Sequence, residues 1–311
     1  MSRMAKRIMR SMSFLVMAGA ALPLGAQPVP NRLGVTPSAQ SRDFVANKQQ
    51  FQLHSLLTEQ RHPRSFDLST RIAADTADGL AALLSVDEDI SAALQGVADD
   101  PARLAALEHA SREITRALRD GHRLYFYGTG STGRLAETIE SGLWRPFWQR
   151  TAASPAMAKI EARFPGLGER VRGEITGGDR ALIASLEGFE DIPEIGRLQL
   201  QDNGIQPQDL VFAVTEGGET SAVIGTALAA ADQAGADARR TWFVYNNPDE
   251  VLRPFERSRR VLDDARITKI PLPTGPQAIT GSTRMQATTT SLYVLGVVLE
   301  DATRALLREV L

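Results

Sequence analysis

Three short segments combine glycines with hydroxyl side chains, and each precedes a helical pattern. They read "GTGSTG" (128–133), "TEGGETS" (215–221) and "TGSTR" (280–284). Backbone N–H groups at a glycine-rich turn bind phosphate where a helix begins, and hydroxyl groups add further donors. The predicted phosphate- or sugar-binding residues are Gly128, Thr129, Gly130, Ser131, Thr132, Gly133, Gly217, Gly218, Glu219, Thr220, Ser221 and Ser282. Each segment alone also fits ordinary turn and helix-cap chemistry, so the prediction depends on all three converging.

Two other phosphate-binding motifs fit the first segment less well. The Walker A loop requires lysine after its last glycine, whereas Arg134 follows Gly133 here, which excludes that class of nucleotidase. The dinucleotide fingerprint matches at the glycines but requires an acidic residue at the end of a second strand, about 20 residues on. Residues 147–172 do not show the pattern of a buried strand. A sugar-phosphate site is favoured because it uses all three loops.

Short apolar runs alternate with helical patterns along the middle of the chain. Four runs have the composition of buried strands: 122–128, 210–215, 241–246 and 267–273. An alanine-rich helix is predicted at 221–236, between the second and third of them. Strands that alternate with helices predict an α/β fold, with a central parallel sheet flanked by helices on both faces. Loops at the carboxyl ends of such strands meet at one crevice.

Helices are also predicted on either side of this alternating region. Residues 66–94 have apolar residues at helical spacing, with Asp67 or Ser69 as the cap. Residues 99–121 form a second amphipathic pattern, with Asp99 or Asp100 as the cap, Pro101 in the first turn and Gly121 at the end. The last segment, 281–311, predicts one long helix.

The composition narrows the classes of function. The 311 residues are 43% hydrophobic and 23% charged with a net charge of −2, which gives no indication of a nucleic-acid partner. The absence of cysteine excludes disulfides and thiolate metal sites, and the four histidines lack metal-ligand spacing. A zinc site is therefore not expected; the family resemblance described below implies a small-molecule ligand and neither metal nor organic cofactor. The arginine cluster at 257–260 precedes Asp263 and Asp264 and is interpreted as a solvated helix face.

The first residues differ from the rest. Residues 1–26 have a basic start and an apolar core ending in small residues, which predicts a secretory signal peptide cleaved after Ala26. A mis-assigned start or an uncleaved anchor is the alternative. Residues 27–50 are predicted to be a polar linker. The protein is expected in the periplasm or outside the cell if the signal functions, and in the cytoplasm otherwise.

Several segments together resemble a known family. They are "LLTEQRHPRSFDLST" (56–70), "GTGSTGRLAE" (128–137), "GGDRALIASLEGFEDIPEIG" (177–196), "LVFAVTEGGETSAVIG" (210–225) and "AITGSTRMQA" (278–287). Their order and spacing resemble the sugar isomerase (SIS) domain, and within it the N-acetylmuramic acid 6-phosphate etherases and the related glucokinase regulatory protein. The resemblance covers roughly 50–300. It implies an SIS-type three-layer sandwich over 51–311, with an amino-terminal helical extension, and a homodimer.

The resemblance also implies a chemistry. The etherases remove a lactyl ether from a 6-phosphorylated amino sugar by elimination followed by addition of water. The reaction needs a base for the proton at C2 and an acid for the departing lactate oxygen, which carboxyl groups can supply. One family glutamate corresponds to Glu187 in "LEGFED". The other reading of Glu187 is a solvated helix end.

This sequence departs from the family at several site positions. The second family glutamate corresponds to Gly142, and Glu140, two residues away, lies about 200° round an ideal helix. Glu140 is predicted to replace it only if the helix shifts its register. Gly217 replaces a family serine, Glu219 an arginine and Gln286 a lysine, so the loops are less suited to phosphate.

Three functions remain open on the sequence. The favoured one is an etherase-like lyase in which Glu187 and Glu140 are catalytic. The second is a sugar- or sugar-phosphate-binding regulatory protein without activity, which the glycine at Gly142 favours. The third is an exported protein that binds unphosphorylated cell-wall sugars, which would account for the amino terminus and for Glu219. Preference for or against the 6-phosphate separates the third function from the others.

Overall fold

The computed structural model describes Met4 and residues 36–48, 52–235 and 239–311. The predicted signal peptide, 1–26, lies outside the described residues except for Met4, and it stays a prediction. Part of the predicted linker forms a short helix, α1 (Ala39–Asn47), whose residues are all exposed. In the parts of the chain that the structure describes, no helix has the length and apolar character needed to span a bilayer.

The centre of the described structure is a parallel sheet of five strands in the order β2-β1-β3-β4-β5. The strands are β1 (Leu124–Gly128), β2 (Val171–Ile175), β3 (Leu210–Val214), β4 (Thr241–Tyr245) and β5 (Ile267–Pro271). Four of them confirm the predicted strands. The prediction missed β2, because this edge strand alternates buried and half-buried residues and has no continuous apolar run.

Helices precede, connect and follow the strands. The helices of the amino-terminal half are α2 (Leu68–Ala74), α3 (Thr76–Ser85), α4 (Glu88–Asp99), α5 (Pro101–Arg119), α6 (Ser131–Glu137), α7 (Arg145–Thr151) and α8 (Ala156–Arg163). Those of the carboxyl-terminal half are α9 (Arg180–Ile183), α10 (Pro193–Asp202), α11 (Ser221–Ala234), α12 (Asp249–Leu252), α13 (Glu256–Leu262) and α14 (Gln286–Leu307). A π-helical segment, Thr138–Trp144, joins α6 to α7.

The two faces of the sheet bury different helices. One face presents Phe126, Phe212 and Trp242 to a cluster that includes residues of α5 and α14. The rings of Phe212 and Trp242 stack with centroids 4.7 Å apart. The opposite face presents Phe243 and other alternate residues to α11 and α13. Residues alternate between faces along each strand, so this arrangement makes three layers and confirms the predicted fold class.

The helix boundaries follow local capping. Asp100 accepts hydrogen bonds from the N–H groups of Ala102 (2.9 Å) and Arg103 (3.1 Å), and Pro101 occupies the first turn of α5, as predicted. The segment 66–94 divides between three helices. Asp75 adopts an extended backbone and caps α3, and a turn at Val86 and Asp87 separates α3 from α4. The last helix begins at Gln286 and not at residue 281, so the residues before it are free to form a loop.

Candidate functional site

The first glycine loop joins β1 to α6. Several of the residues that were predicted to bind a ligand instead bond to one another and stabilise the loop. The Thr132 hydroxyl accepts from the Thr129 N–H and donates to the Thr129 carbonyl, both at 2.9 Å. The hydroxyls of Thr129 and Thr176 are 2.5 Å apart. A Cβ at Gly128 would lie 2.3 Å from the Thr132 carbonyl carbon, and one at Gly133 2.3 Å from Ile175. These glycines are required by close packing.

A buried carboxylate, that of Glu216, joins the three predicted loops. The Glu216 side chain is 4% exposed. It accepts hydrogen bonds from the hydroxyls of Ser131 (3.0 Å), Thr288 (2.6 Å) and, more weakly, Thr283 (3.4 Å). We call Ser131, Thr283 and Thr288 the hydroxyl cradle. The Glu216 carbonyl accepts from the Asn246 N–H at 2.8 Å, which fixes the backbone at the carboxyl end of β4.

Glu216 titrates in an unusual range. Burial raises its pKa to about 7, although the hydroxyl hydrogen bonds favour the ionised form. Such a group can hold or release a proton near neutral pH. The sequence analysis singled out "TEGGETS" for its glycines and hydroxyls and missed Glu216. The available signal was an acidic residue placed directly between a buried strand and a glycine turn.

Glu219, predicted to bind ligand, lies beside this centre and pairs with Arg257 of α13. Burial raises the pKa of Glu219, and the charge of Arg257 opposes that rise. Arg257 also donates to the Ser221 hydroxyl at 3.4 Å. The interpretation of the arginine cluster as a solvated face is therefore wrong for Arg257, whereas Arg259 and Arg260 are exposed as expected.

The other predicted residues of the second and third loops serve mainly to shape them. The hydroxyls of Thr215 and Thr220 are 2.9 Å apart, and the Gly218 N–H donates to Thr215 at 3.3 Å. Gly218 has a φ of 84°, which favours glycine. Ser282 is half-buried, with its N–H on the Ile279 carbonyl at 2.9 Å.

Asn247 ties the amino-terminal segment to the second loop. Its Oδ1 accepts from the N–H groups of Leu57 (2.9 Å) and Thr58 (3.3 Å). Its Nδ2 donates to the Thr58 hydroxyl (3.0 Å) and to the Gly217 carbonyl (2.9 Å). The same segment places Glu59 next to Gly281 of the last loop, 2.8 Å from where a Cβ would be. Burial, with the charge of Glu219, raises the pKa of Glu59. Sequence reasoning missed both Asn247 and Glu59.

Glu187 is exposed and lies on a turn between α9 and α10. The preceding Leu186 packs against Gly177, just beyond β2, where an added Cβ would be 2.8 Å from Leu186 Cδ1. Asp191, four residues after Glu187, is close enough to Glu219 to raise the pKa of that carboxyl. The segment that carries Glu187 therefore runs from the end of β2 towards the second loop.

Glu140 lies elsewhere, against the middle of the edge strand. The register shift on which its predicted role depended does occur, as the π-helical segment. It turns the carboxylate towards β2, where the Gly173 N–H (2.5 Å), Arg145 Nε (2.7 Å) and Arg172 Nη1 (3.3 Å) donate to it. The contacts of Glu140 in the described structure are thus with β2 and the start of α7, and not with the hydroxyl cradle.

Several curated relatives of the chain carry the same name. No family model matches the chain. An N-acetylmuramic acid 6-phosphate etherase of Picosynechococcus sp. is 34% identical over 242 residues, which cover 78% of this chain and 67% of the relative. The chain belongs to this etherase family. Etherases of Parasynechococcus marenigrum and Glaesserella parasuis are 32% and 29% identical, over 64% and 67% of their own lengths. The chain thus spans about two thirds of the length of these relatives.

Family membership confirms the etherase part of the resemblance. The structure shows the surroundings of two positions at which the sequence was predicted to depart from the family. Gly142, predicted to take the position of a family glutamate, is exposed, and an added Cβ would meet only Thr138 Cγ2, at 3.3 Å. Gln286, predicted to take the position of a family lysine, is buried, and its amide bonds the Ala278 N–H (3.0 Å) and Asp87 Oδ1 (2.7 Å). Through these two bonds, Gln286 connects the last loop to the turn before α4 in the amino-terminal part of the chain.

Proposed function

We propose that this chain is an etherase-like carbon–oxygen lyase that removes the D-lactyl ether of an amino sugar of the N-acetylmuramic acid type. The observation that carries the proposal is the 34% identity to a named etherase over 242 residues. The proposed catalytic unit is an SIS domain over 51–311 that acts as a homodimer. The proposed site is the crevice above the carboxyl ends of β1, β3 and β4, where the three loops meet.

The reaction proceeds in two stages. In the first, a base removes the proton at C2 of the sugar, the C3–O bond breaks, and D-lactate leaves with the ether oxygen as a C2–C3 double bond forms. In the second, water adds its hydroxyl group to C3 and a proton returns to C2. The stages require one group that holds the C2 proton and one that protonates the leaving oxygen.

Glu187 is our candidate for the base. Its segment runs from the end of β2 towards the second loop, beside the crevice, and the exposed side chain is accessible to a ligand there. Glu59 is our candidate for the acid, because burial raises its pKa and it faces the last loop at Gly281. Glu140 is not part of this proposal, since its carboxylate is held by Arg145 and Arg172.

Lactate release tests the proposal. The full chain is incubated with N-acetylmuramic acid and, separately, with its 6-phosphate, and D-lactate is measured enzymatically. The proposal expects release from at least one of the two sugars, a loss of about 100-fold in Glu187→Gln, and unchanged release in Glu194→Gln. Glu194 is an exposed glutamate on α10 and supplies the matched control. No release from either sugar contradicts the proposal.

A sugar-binding protein without turnover is the second candidate, and Gly142 together with the ion-paired Glu140 favours it. Gly142→Glu restores the family carboxylate at a position with space for it. If the wild type binds sugar without releasing lactate and the Gly142→Glu protein releases it, the second candidate is correct. If the wild type itself releases lactate, the second candidate is excluded.

A further inference from the structure

The hydroxyl cradle already holds a carboxyl group, and that group belongs to the protein. Glu216 Oε2 lies 3.0 Å from the Ser131 hydroxyl, and Oε1 lies 2.6 Å from the Thr288 hydroxyl. The third hydroxyl, that of Thr283, is 3.4 Å from Oε2. Ser131 and Thr283 belong to two of the loops in which the sequence predicted phosphate binding, and Thr288 lies in the first turn of the last helix.

A hydroxyl has one proton to donate, so a donor engaged by Glu216 is not available to a phosphate. The backbone gives Glu216 little freedom to move away. Its carbonyl is bonded to the Asn246 N–H at 2.8 Å, and the following Gly217 carbonyl accepts from Asn247 at 2.9 Å. With 4% of the side chain exposed, the carboxylate is part of the wall of the site.

The charges around the cradle also oppose a phosphate. Glu59 and Glu219 are close enough for the charge of Glu219 to raise the pKa of Glu59, and both belong to segments that adjoin the cradle loops. Of the arginines described at these loops, Arg257 pairs with Glu219, and Arg134 donates to the carbonyls of Gly130 (3.1 Å) and Ala181 (3.4 Å). Arg284, next to Thr283, is exposed. A phosphate dianion seated against the cradle would meet the buried Glu216 carboxyl directly, in a partly desolvated site.

We infer that Glu216 is a specificity-determining residue, and that the ligand end seated against the hydroxyl cradle is the neutral, hydroxyl-bearing end of an amino sugar, not a 6-phosphate. The Thr288 hydroxyl also lies 2.9 Å from the Thr283 carbonyl, and when its single proton goes to that carbonyl, Glu216 has a lone-pair site for a sugar hydroxyl. This inference rests on the proposed sugar site. It separates the chain from relatives whose name includes the 6-phosphate.

Binding of a matched pair of sugars tests the inference. The full chain is titrated in a calorimeter with N-acetylmuramic acid and with N-acetylmuramic acid 6-phosphate, which differ only in the phosphate. We expect the wild type to bind the unphosphorylated sugar at least tenfold more tightly. Glu216→Gln keeps the shape and removes the charge, and it should narrow that ratio by at least tenfold. The exposed Glu250→Gln, on α12, makes the same chemical change away from the cradle and should leave the ratio unchanged.

Equal or tighter binding of the 6-phosphate by the wild type overturns the inference, as does failure of both sugars to bind. An unchanged ratio in a folded Glu216→Gln protein overturns the role of Glu216. The wild-type ratio needs no variant and decides the ligand class even if Glu216→Gln does not fold. Lactate release is recorded on the same samples. Release that favours the 6-phosphate supports the lyase and overturns the inference. Tight binding of the neutral sugar without release supports the inference and contradicts the lyase.

Discussion

The hydroxyl of Thr288, in the first turn of α14, lies 2.6 Å from the carboxylate of Glu216, which follows β3. This bond connects the last helix to the centre of the sheet through a group that is buried and titratable. Glu216 therefore connects the three loops by hydrogen bonds, and its carboxyl has a pKa well above the ordinary value.

Glu216 should make stability depend on pH. Its folded-state pKa, about 7, is above the ordinary value of 4.5, so the folded protein binds more protons than the unfolded chain between these values. Stability from this residue is present below pH 4.5 and is lost as the pH rises to 7. Between pH 5 and pH 8 the loss should be about 2–3 kcal/mol. Urea denaturation at both pH values measures it.

The matched variant for this prediction is Glu216→Gln, which does not titrate. Its stability should change less than that of the wild type between pH 5 and pH 8. Glu137, whose pKa burial also raises to about 7, titrates in both proteins and cancels from the comparison. An identical pH dependence in the two proteins would show that Glu216 does not titrate in this range.

Glu140→Ala should destabilise the protein without removing lactate release. The substitution leaves Arg145, Arg172 and the Gly173 N–H without the carboxylate that they now bond, at a cost of about 2–4 kcal/mol. Thermal and urea denaturation give the stability, and kcat is measured on the folded fraction.

Glu137→Gln is the control variant for Glu140→Ala. It also removes a carboxyl from this helix, but one whose pKa is raised by burial and by the charge of Glu140. It should leave stability at pH 8 unchanged or raise it. A loss of kcat above 100-fold in a fully folded Glu140→Ala protein would instead make Glu140 a catalytic group.

Asn247→Ala should release the amino-terminal segment from the second loop. The side chain bonds the N–H groups of Leu57 and Thr58, and its removal leaves them without that acceptor in a buried place. We expect amide exchange of Leu57 and Thr58 to accelerate at least tenfold, with a stability loss of about 2 kcal/mol. Asn247→Asp keeps the acceptor and should largely preserve the exchange protection. Unchanged exchange in Asn247→Ala would mean that other contacts hold the segment.

The sequence predicted most of the fold because its signals are local. Apolar runs mark the four predicted strands, of which β1, β3 and β4 are buried along their whole length, and Asp100 with Pro101 marks the start of α5. The edge strand β2 lacked such a run, since its second and fourth residues are half-buried. A single sequence does not show which strand lies at the edge, so this strand could not be recognised by burial alone.

The site was predicted less completely, for a different reason. The loops could be located from glycines and hydroxyls, but the direction of each side chain depends on contacts between distant segments. Ser131 meets Glu216, and Asn247 meets Thr58, across 85 and 189 positions of the chain. Glu140 was predicted to substitute for a family carboxylate at the position of Gly142; the π-helical segment brings its carboxylate to the Gly173 N–H, and its catalytic role stays a prediction. The spacing of apolar residues in a helical sequence does not show where an α-helix widens into a π-helical segment.

Isotope incorporation during ether cleavage tests the central proposal most directly. The full chain is incubated with N-acetylmuramic acid and with its 6-phosphate in ¹⁸O-labelled water, and both products are analysed by mass spectrometry. Elimination and addition of water predict one ¹⁸O atom at C3 of the sugar, in addition to solvent exchange at the reducing carbon C1, and D-lactate that keeps the unlabelled ether oxygen. No lactate, or lactate that carries the label at its former ether oxygen, would contradict the proposed lyase.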